Sequence, residues 1–498
     1  MLMMCCTVVS LPPDAVTMVE ETEDYVLHCN YAPFEEPLSR TEALRMPDAQ
    51  QWLEAMTEEE VWCYQDTWDV VDATEDMNIL TSKWVFKKKR DPTGAVTRYR
   101  ARLVVRGFGQ QAGVDYGSIF APVVRYTTIR LLLALCAHYG LYKTHLDTPK
   151  AFTQAELDVP LFMKAPPGIS LPRGKVFKLK RSLYGLKQGS ARWWTVLSEF
   201  LLSIGFKQCI ADPCLFYMLL SEDEFAFISV YVDDILLATT SVALKASIVD
   251  QLYKRFNITD EGEFTWSLGM HVHTSADRHT IQVDMEKYTM DIISRFGFEH
   301  QTSSPIPMVP SARFSTADCP TSAAEVNSMM QYPFRPALGA ILFLMIVFRM
   351  DISFPTISLS RFASNPSLAM WHALSLVYRY LKGTAGIKLT YTRQFEARNP
   401  LMVGFTDSDW AANDYDHARA VTGYVLFMSG AAISWLTAFR QPGLSTCEVE
   451  YYGMGAIAAE TVAHTHLLND LAPLQWRFNS ETDFSPDNAP VTLYTDNA

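Results

Sequence analysis

Two adjacent aspartates, Asp233 and Asp234, lie between apolar runs in the stretch FAFISVYVDDILLATT, Phe225 to Thr240. Val, Ile, Tyr and Phe favour strands, so the stretch predicts a tight strand–turn–strand hairpin carrying the carboxylates at its tip. Neighbouring carboxylates on an otherwise buried hairpin repel each other and lose hydration, and a cation relieves both penalties. Hard divalent ions such as Mg²⁺ take oxygen ligands and commonly combine one or two carboxylates with substrate phosphates. Taken alone, the pair is equally compatible with an Asp-Asp turn in a surface hairpin.

Other stretches could supply the remainder of such a site. Leu141 to Phe152, LYKTHLDTPKAF, reads as a strand that delivers one carboxylate, Asp147, followed by a turn with an aromatic ring five residues on. Thr127 to Gly140 before it predicts a buried helix stopped by the glycine. Lys83 to Gly109 has the pattern of a hairpin turning at Asp91-Pro-Thr-Gly, with Lys87, Lys88, Lys89 and Arg90 on one arm and Arg98, Arg100, Arg102 and Arg106 on the other. Such a flap can close on a triphosphate or rest on a nucleic-acid backbone. Tyr184-Gly-Leu-Lys-Gln188-Gly then opens a helix carrying Arg192, Trp193 and Trp194, where rings among cations suit either base stacking or a core.

Composition sets the bounds. A chain of 498 residues with 49% hydrophobic and 19% charged residues is globular and too long for one core, so several domains are expected. The apolar run Leu338 to Phe348 suits a buried helix and is too short to span a bilayer. Nine scattered cysteines without zinc spacing predict reduced thiols, as in cytosol or nucleus. The net charge is −13, yet Lys83 to Arg192 holds 21 Lys and Arg against 5 Asp and Glu, while Met1 to Leu80 holds 2 against 18. Attraction for phosphates follows local charge, screened over roughly 10 Å, so the basic middle is compatible with gripping a polyanion.

Elsewhere, Met1 to about Pro37 reads as a linker or disordered leader, and Ser39 with Glu42 as a capping box for a helix running through Trp52 and Met56. Gln251 to about His273, with a turn at Asp260-Glu-Gly-Glu263, and Ile281 to Phe298 read as a strand and a helix. Ser303 to about Val326 marks a linker, and Tyr332 to Tyr391 is helical and apolar. Leu401 to Asp407 is a strand ending in a carboxylate, Gly423 to Phe427 another strand, Ser445 to Glu450 opens a helix, and Val491 to Asp496 is a third acidic strand tip.

In this order, KWVFK (83–87), RYRARLVVRGF (98–108), FAPV (120–123), TIR (128–130), LDTPKAF (146–152), SLYGLKQ (182–188), YVDDILL (231–237), SLG (267–269) and RYLKGT (379–384) resemble the polymerase of copia-type LTR retrotransposons. Each motif is weak alone, but the ordered set is specific.

The resemblance implies an α+β fold, a right-hand polymerase with fingers, ferredoxin-like palm and thumb, followed by a ribonuclease H-like α/β domain. Its boundaries would be an acidic leader over 1–37, fingers, palm and thumb over 38–302, linker and connection over 303–398, and the nuclease-like domain over 399–498. Asp147 and Asp233 would bind two Mg²⁺ ions, with Mn²⁺ as an alternative and Asp234 completing the cluster. Phe152 would lie under the sugar of the incoming nucleotide, Gln188 would line its pocket, and Lys89, Arg102 and the competing Lys87 would contact the triphosphate. Asp407, Glu450 and Asp496 would be the nuclease's metal ligands, with Glu448 a weaker candidate.

The implied partners are RNA template, DNA primer and product, RNA–DNA hybrid and deoxynucleoside triphosphates, with no membrane and an open oligomeric state. The implied location is the cytoplasm, in or out of virus-like particles, with access to the nucleus. Two departures stand out. The chain stops two residues after Asp496, so the nuclease domain is expected to be C-terminally truncated, and Phe348-Arg-Met-Asp351 replaces the family's usual Thr-Arg-Pro-Asp. The competing expectations are an inactive relic that only holds hybrid and, far behind, a nucleotide cyclase on a similar palm.

Overall fold

The computed structural model of the protein describes residues 36–64, 67–90, 95–221, 223–393, 402–410, 419–440, 443, 445–471 and 491–495; the leader up to residue 35 and Asp496 lie outside them. The fold is mixed α+β. A six-stranded sheet carries the two acidic segments at its centre, in the order Thr259–Glu263, Tyr142–Asp147, Asp234–Thr239, Phe225–Tyr231, Leu215–Leu219, Lys207–Gln208.

Strand periodicity divides the side chains of this sheet between two cores. Leu146, Ile235, Leu237, Ile228 and Val230 face helices Gly189–Ser203 and Val242–Arg255, meeting Trp193, Leu197, Ile248 and Leu252. Leu236, Ala238, Phe225 and Phe227 face the other way, toward the helix Tyr126–Tyr139. That helix is buried from Thr128 to His138 and ends at Gly140, whose φ of 67° is the left-handed geometry expected of the stop.

Ahead of the sheet, the hairpin Ser82–Arg90 with Val96–Val105 packs its apolar face on the helix Ala49–Tyr64. Trp52 is fully buried there, its ring 5.3 Å from Phe86 and 4.7 Å from Tyr99. Burying a side chain such as Phe86 or Leu103 contributes about 1.5–3 kcal/mol, so this contact fixes the hairpin's tilt. The expected single helix from Ser39 through Met56 is instead two. Ser39 caps the short Arg40–Ala43, and the chain restarts at Ala49 because Pro47 disfavours helix at the residue before it.

A second correction concerns Asp260-Glu-Gly-Glu263, which is not a free turn. It forms an edge strand against Tyr142–Asp147 with a bulge between Asp260 and Gly262.

A second sheet, Trp266–Ser267, Met270–Thr274, Thr280–Asp284 and Leu389–Thr392, packs across the helix Tyr126–Tyr139. Its last strand arrives after the helices Phe334–Val347, Ser353–Ser360 and Leu368–Gly383. Leu338, Ile341 and Leu344 are buried, so the apolar run is core. Among the described residues, no single helix is long and apolar enough to cross a membrane. A third sheet has the order Ala431–Phe439, Val421–Met428, Met402–Asp409, Val491–Tyr494, antiparallel except for the last pair, with the helix Thr446–Leu471 packed on it.

Candidate active site

Strands Tyr142–Asp147 and Asp234–Thr239 run antiparallel with Asp147 directly opposite Asp234. Like charges in that position destabilise a sheet by repulsion, so the register itself calls for a compensating cation. Asp233 shares the adjoining turn with Val232, closing the hairpin from Tyr231 to Asp234. Val232 has φ of 56°, a costly conformation for a β-branched residue. Two hydrogen bonds hold the turn in place. The Trp193 indole N–H donates to the Val232 carbonyl at 2.6 Å, and the Thr148 N–H donates to the Asp233 carbonyl at 2.9 Å. The residue after Asp147 is thereby tied to the backbone of Asp233, which anchors the turn beside the Asp147–Asp234 pair.

Burial, then the charges of Asp234 and Glu261, push the Asp147 carboxyl above the usual carboxylate range. Burial together with Asp234 does the same to Asp233. His145 stands two residues before Asp147 on the same strand face, with Nε2 2.9 Å from Asp234 Oδ1. That hydrogen bond holds the imidazole's proton more tightly than usual.

The basic hairpin faces this cluster. Its register sets Lys87 opposite Arg100, Lys89 opposite Arg98 and Val85 opposite Arg102. Alternation therefore gathers Lys87, Lys89, Arg98, Arg100 and Arg102 on one face and Trp84, Phe86, Ala101 and Leu103 on the other. Burial and the neighbouring cations lower the pKa of both Lys89 and Arg100, while the Asp147 charge opposes that shift. Arg102 holds its guanidinium 5.0 Å from the Tyr184 ring centroid and weakens the rise at Asp233. Lys88 points the opposite way and pairs with Asp48 at 2.6 Å.

Phe152 lies in the single turn Ala151–Gln154, its ring edge-on to Tyr184 at 5.1 Å. The loop bearing Tyr184 presses against the end of the hairpin; a Cβ on Gly185 would collide with the Val105 carbonyl. Gln188 is placed differently from the other expected residues. It is 1% exposed, its carbonyl accepts from Gln110 Nε2 at 2.9 Å and its amide donates to the Asp115 carbonyl at 2.9 Å. Both ends of that amide thus clamp protein loops together.

The residues without an assigned role in the sequence reading are His145, Glu261, Arg100, Tyr184 and Trp193. Arg100 and Tyr184 had a signal, in the cationic alternation and the SLYGLKQ run. His145 and Glu261 acquire meaning only from strand pairing. The donor set at the centre is all oxygen, strained by repulsion and partly buried, which fits a hard divalent cation.

A second group of carboxylates occupies the third sheet. Asp407 is exposed near the end of Met402–Asp409, and its Oδ1 accepts the Ser408 N–H at 2.7 Å. Glu450 stands in the first turns of Thr446–Leu471, one turn before Gly453, where the helix sits so close to Thr406 and Ser408 that a Cβ would clash with both. The helix therefore packs on the strand face that carries Thr406 and Ser408, and alternation turns the exposed Asp407 to the other face. Glu448 accepts from the Tyr452 hydroxyl at 2.7 Å. Tyr494 lies in register with Phe405, and Asp496 is outside the described residues.

Residues 65–310 match the family described as reverse transcriptase (RNA-dependent DNA polymerase). The chain belongs to that family, in the branch of copia-type Pol polyproteins. It is 34% identical over 440 residues to the retrovirus-related Pol polyprotein from transposon TNT 1-94 of Nicotiana tabacum, across 88% of this chain and 33% of that protein. To the corresponding polyproteins from transposons RE1 and RE2 of Arabidopsis thaliana it is 30% identical over 463 and 443 residues, across 91% and 87% of this chain and 30% and 29% of theirs. The chain thus spans about a third of the length of these relatives. The family resemblance read from the ordered motifs is borne out.

Proposed function

We propose that the chain is the polymerase portion of a copia-type element, adding deoxynucleotides to a primer 3′-hydroxyl on an RNA or DNA template. The carrying observation is the direct opposition of Asp147 and Asp234, with Asp233 in the adjoining turn, beneath the cationic face of a hairpin. In this reading the six-stranded sheet is the palm and the basic hairpin belongs to the fingers. Ile281 to Phe298 would supply the thumb and Tyr332 to Tyr391 the connection.

Asp147, Asp233 and Asp234 would hold two Mg²⁺ ions, or Mn²⁺, which when bound acidify the attacking hydroxyl and neutralise charge on the triphosphate. Lys89, Arg100 and Arg102 orient the phosphates from above, with Lys87 on the same face. Phe152, braced by Tyr184, is the ring against which a nucleotide sugar rests, and its bulk disfavours a 2′-hydroxyl. His145 fixes the Asp234 carboxylate. Gln188 acts by bracing the loops at Gln110 and Asp115 rather than by touching the nucleotide.

The third sheet, with a helix between its last antiparallel strand and a parallel one, supports a ribonuclease H-like unit in which Asp407 and Glu450, with Asp496, would bind metal. Its activity on hybrid is part of the same proposal.

Primer extension on poly-rA tests the polymerase reading. Wild type is expected to extend the primer with Mg²⁺, and Asp233→Asn to lose on the order of 10³-fold in rate. Equal extension by both would sink the assignment. Salt-sensitive hybrid binding without incorporation at any metal concentration would favour the binding-only relic instead.

A further inference from the structure

Away from both carboxylate groups, the second sheet gathers two histidines and an aspartate. His271 and His273 are two apart on Met270–Thr274, so they share one face, and the register sets Asp284 opposite His271. The two imidazole rings lie 4.1 Å apart. His273 Nε2 is 2.9 Å from Asp284 Oδ2, and one ligand atom from each of the three residues lies within 4.8 Å of the others.

We propose that His271, His273 and Asp284 form a binding site for a divalent transition metal of the zinc class. Two imidazole nitrogens and one carboxylate oxygen are a borderline donor set that suits Zn²⁺ and its neighbours, whereas Mg²⁺ prefers oxygen alone. Three protein ligands leave a fourth position for water. The carboxylate is buried and oriented, because Asp284 Oδ1 accepts the Glu286 N–H at 3.3 Å. Such outer support is what metal ligands generally carry. His273, with a side chain 41% exposed, gives the ion its way in.

An ion pair with Asp284 would need only one imidazole. Two imidazoles converging on one carboxylate meet the requirements of a metal. The Lys388 ammonium, 3.6 Å from Asp284 Oδ2, competes for the carboxylate. The site would clamp Met270–Thr274 to Thr280–Asp284, the two strands that carry all three ligands.

The test is calorimetric titration of the full chain with Zn²⁺ in excess Mg²⁺, which occupies the all-oxygen clusters. Wild type is expected to take up one equivalent, His273→Gln to bind at least about tenfold more weakly, and the double variant His271→Ala with His273→Ala to lose the site. Lys388→Met is expected to tighten binding. His273 is exposed, so His273→Gln keeps its fold, which an unchanged circular dichroism spectrum verifies. Co²⁺ in place of Zn²⁺ gives an independent reading, a visible absorption band present in wild type and lost in the double variant. No uptake by wild type, uptake unaffected by both histidine variants, or displacement by Mg²⁺ would overturn the site.

Discussion

Asp147 and Asp233 hold protons more tightly than ordinary carboxylates because each is partly buried and each faces Asp234. A carboxylate whose folded-state pKa is raised stabilises the fold at pH below its unfolded value and loses that contribution as pH climbs through the raised value. Without metal, the cluster thus weakens the protein near neutrality. Asp233→Asn is expected to raise the Tm of the chelator-treated protein by roughly 1–3 °C at pH 7 while abolishing extension, and the gain should shrink on acidification. Differential scanning calorimetry across pH decides this, and a lower Tm for the variant at pH 7 contradicts it. The aspartates were visible in the sequence because adjacent carboxylates between strand-forming runs are a local signal. His145 was not, since a lone histidine in a strand becomes informative only when pairing sets Asp234 within 2.9 Å.

The elements impose the next level of order. The alternation of Ser82–Arg90 and Val96–Val105 separates an apolar face, seated on Trp52, from a cationic face turned to the carboxylates. The cations could be counted from sequence, but register decides that Arg100 rather than Lys88 shares the face turned to the carboxylates. Lys88 is spent on Asp48. Arg100→Ala is expected to raise KM for the nucleotide about tenfold and to reduce the salt slope of substrate binding by roughly 1. Steady-state extension at several salt concentrations measures both, and an unchanged KM removes Arg100 from the triphosphate.

Where sequence reading failed at this scale, chain context prevailed. Pro47 broke a helix whose apolar spacing ran straight through it, and Asp260 to Glu263 joined the sheet edge because pairing with Tyr142–Asp147 outweighed the turn signal of Gly262. The strand Ala431–Phe439 went unread despite the Ser429-Gly430 turn before it, because its run of buried residues from Ala431 to Ser434 shows no alternation.

Across the whole molecule, Arg130 links parts of the chain that no local signal connects. Its buried guanidinium donates to the carbonyls of Ile433 at 2.8 Å, Val347 at 2.7 Å and Ile346 at 3.2 Å, and lies 3.9 Å from the Trp435 ring. It thereby joins the helix beneath the six-stranded sheet to the helix Phe334–Val347 and the third sheet. Burial lowers its pKa to about 10, so it stays charged at neutrality. Arg130→Met strands three carbonyls and is expected to cost about 3 kcal/mol. Hydrogen exchange should quicken over 431–439; exchange no faster than in wild type contradicts the linking role. The motif TIR pointed to this position, but its partners are more than 200 residues away and only the packed chain identifies them.

The most direct test of the proposed nucleotidyl-transfer centre is single-turnover incorporation of one deoxynucleotide by wild type and Asp147→Asn, with hybrid binding measured on the same preparations. Equal binding is expected, with incorporation slowed on the order of 10³-fold in the variant. Incorporation by Asp147→Asn at the wild-type rate would contradict it.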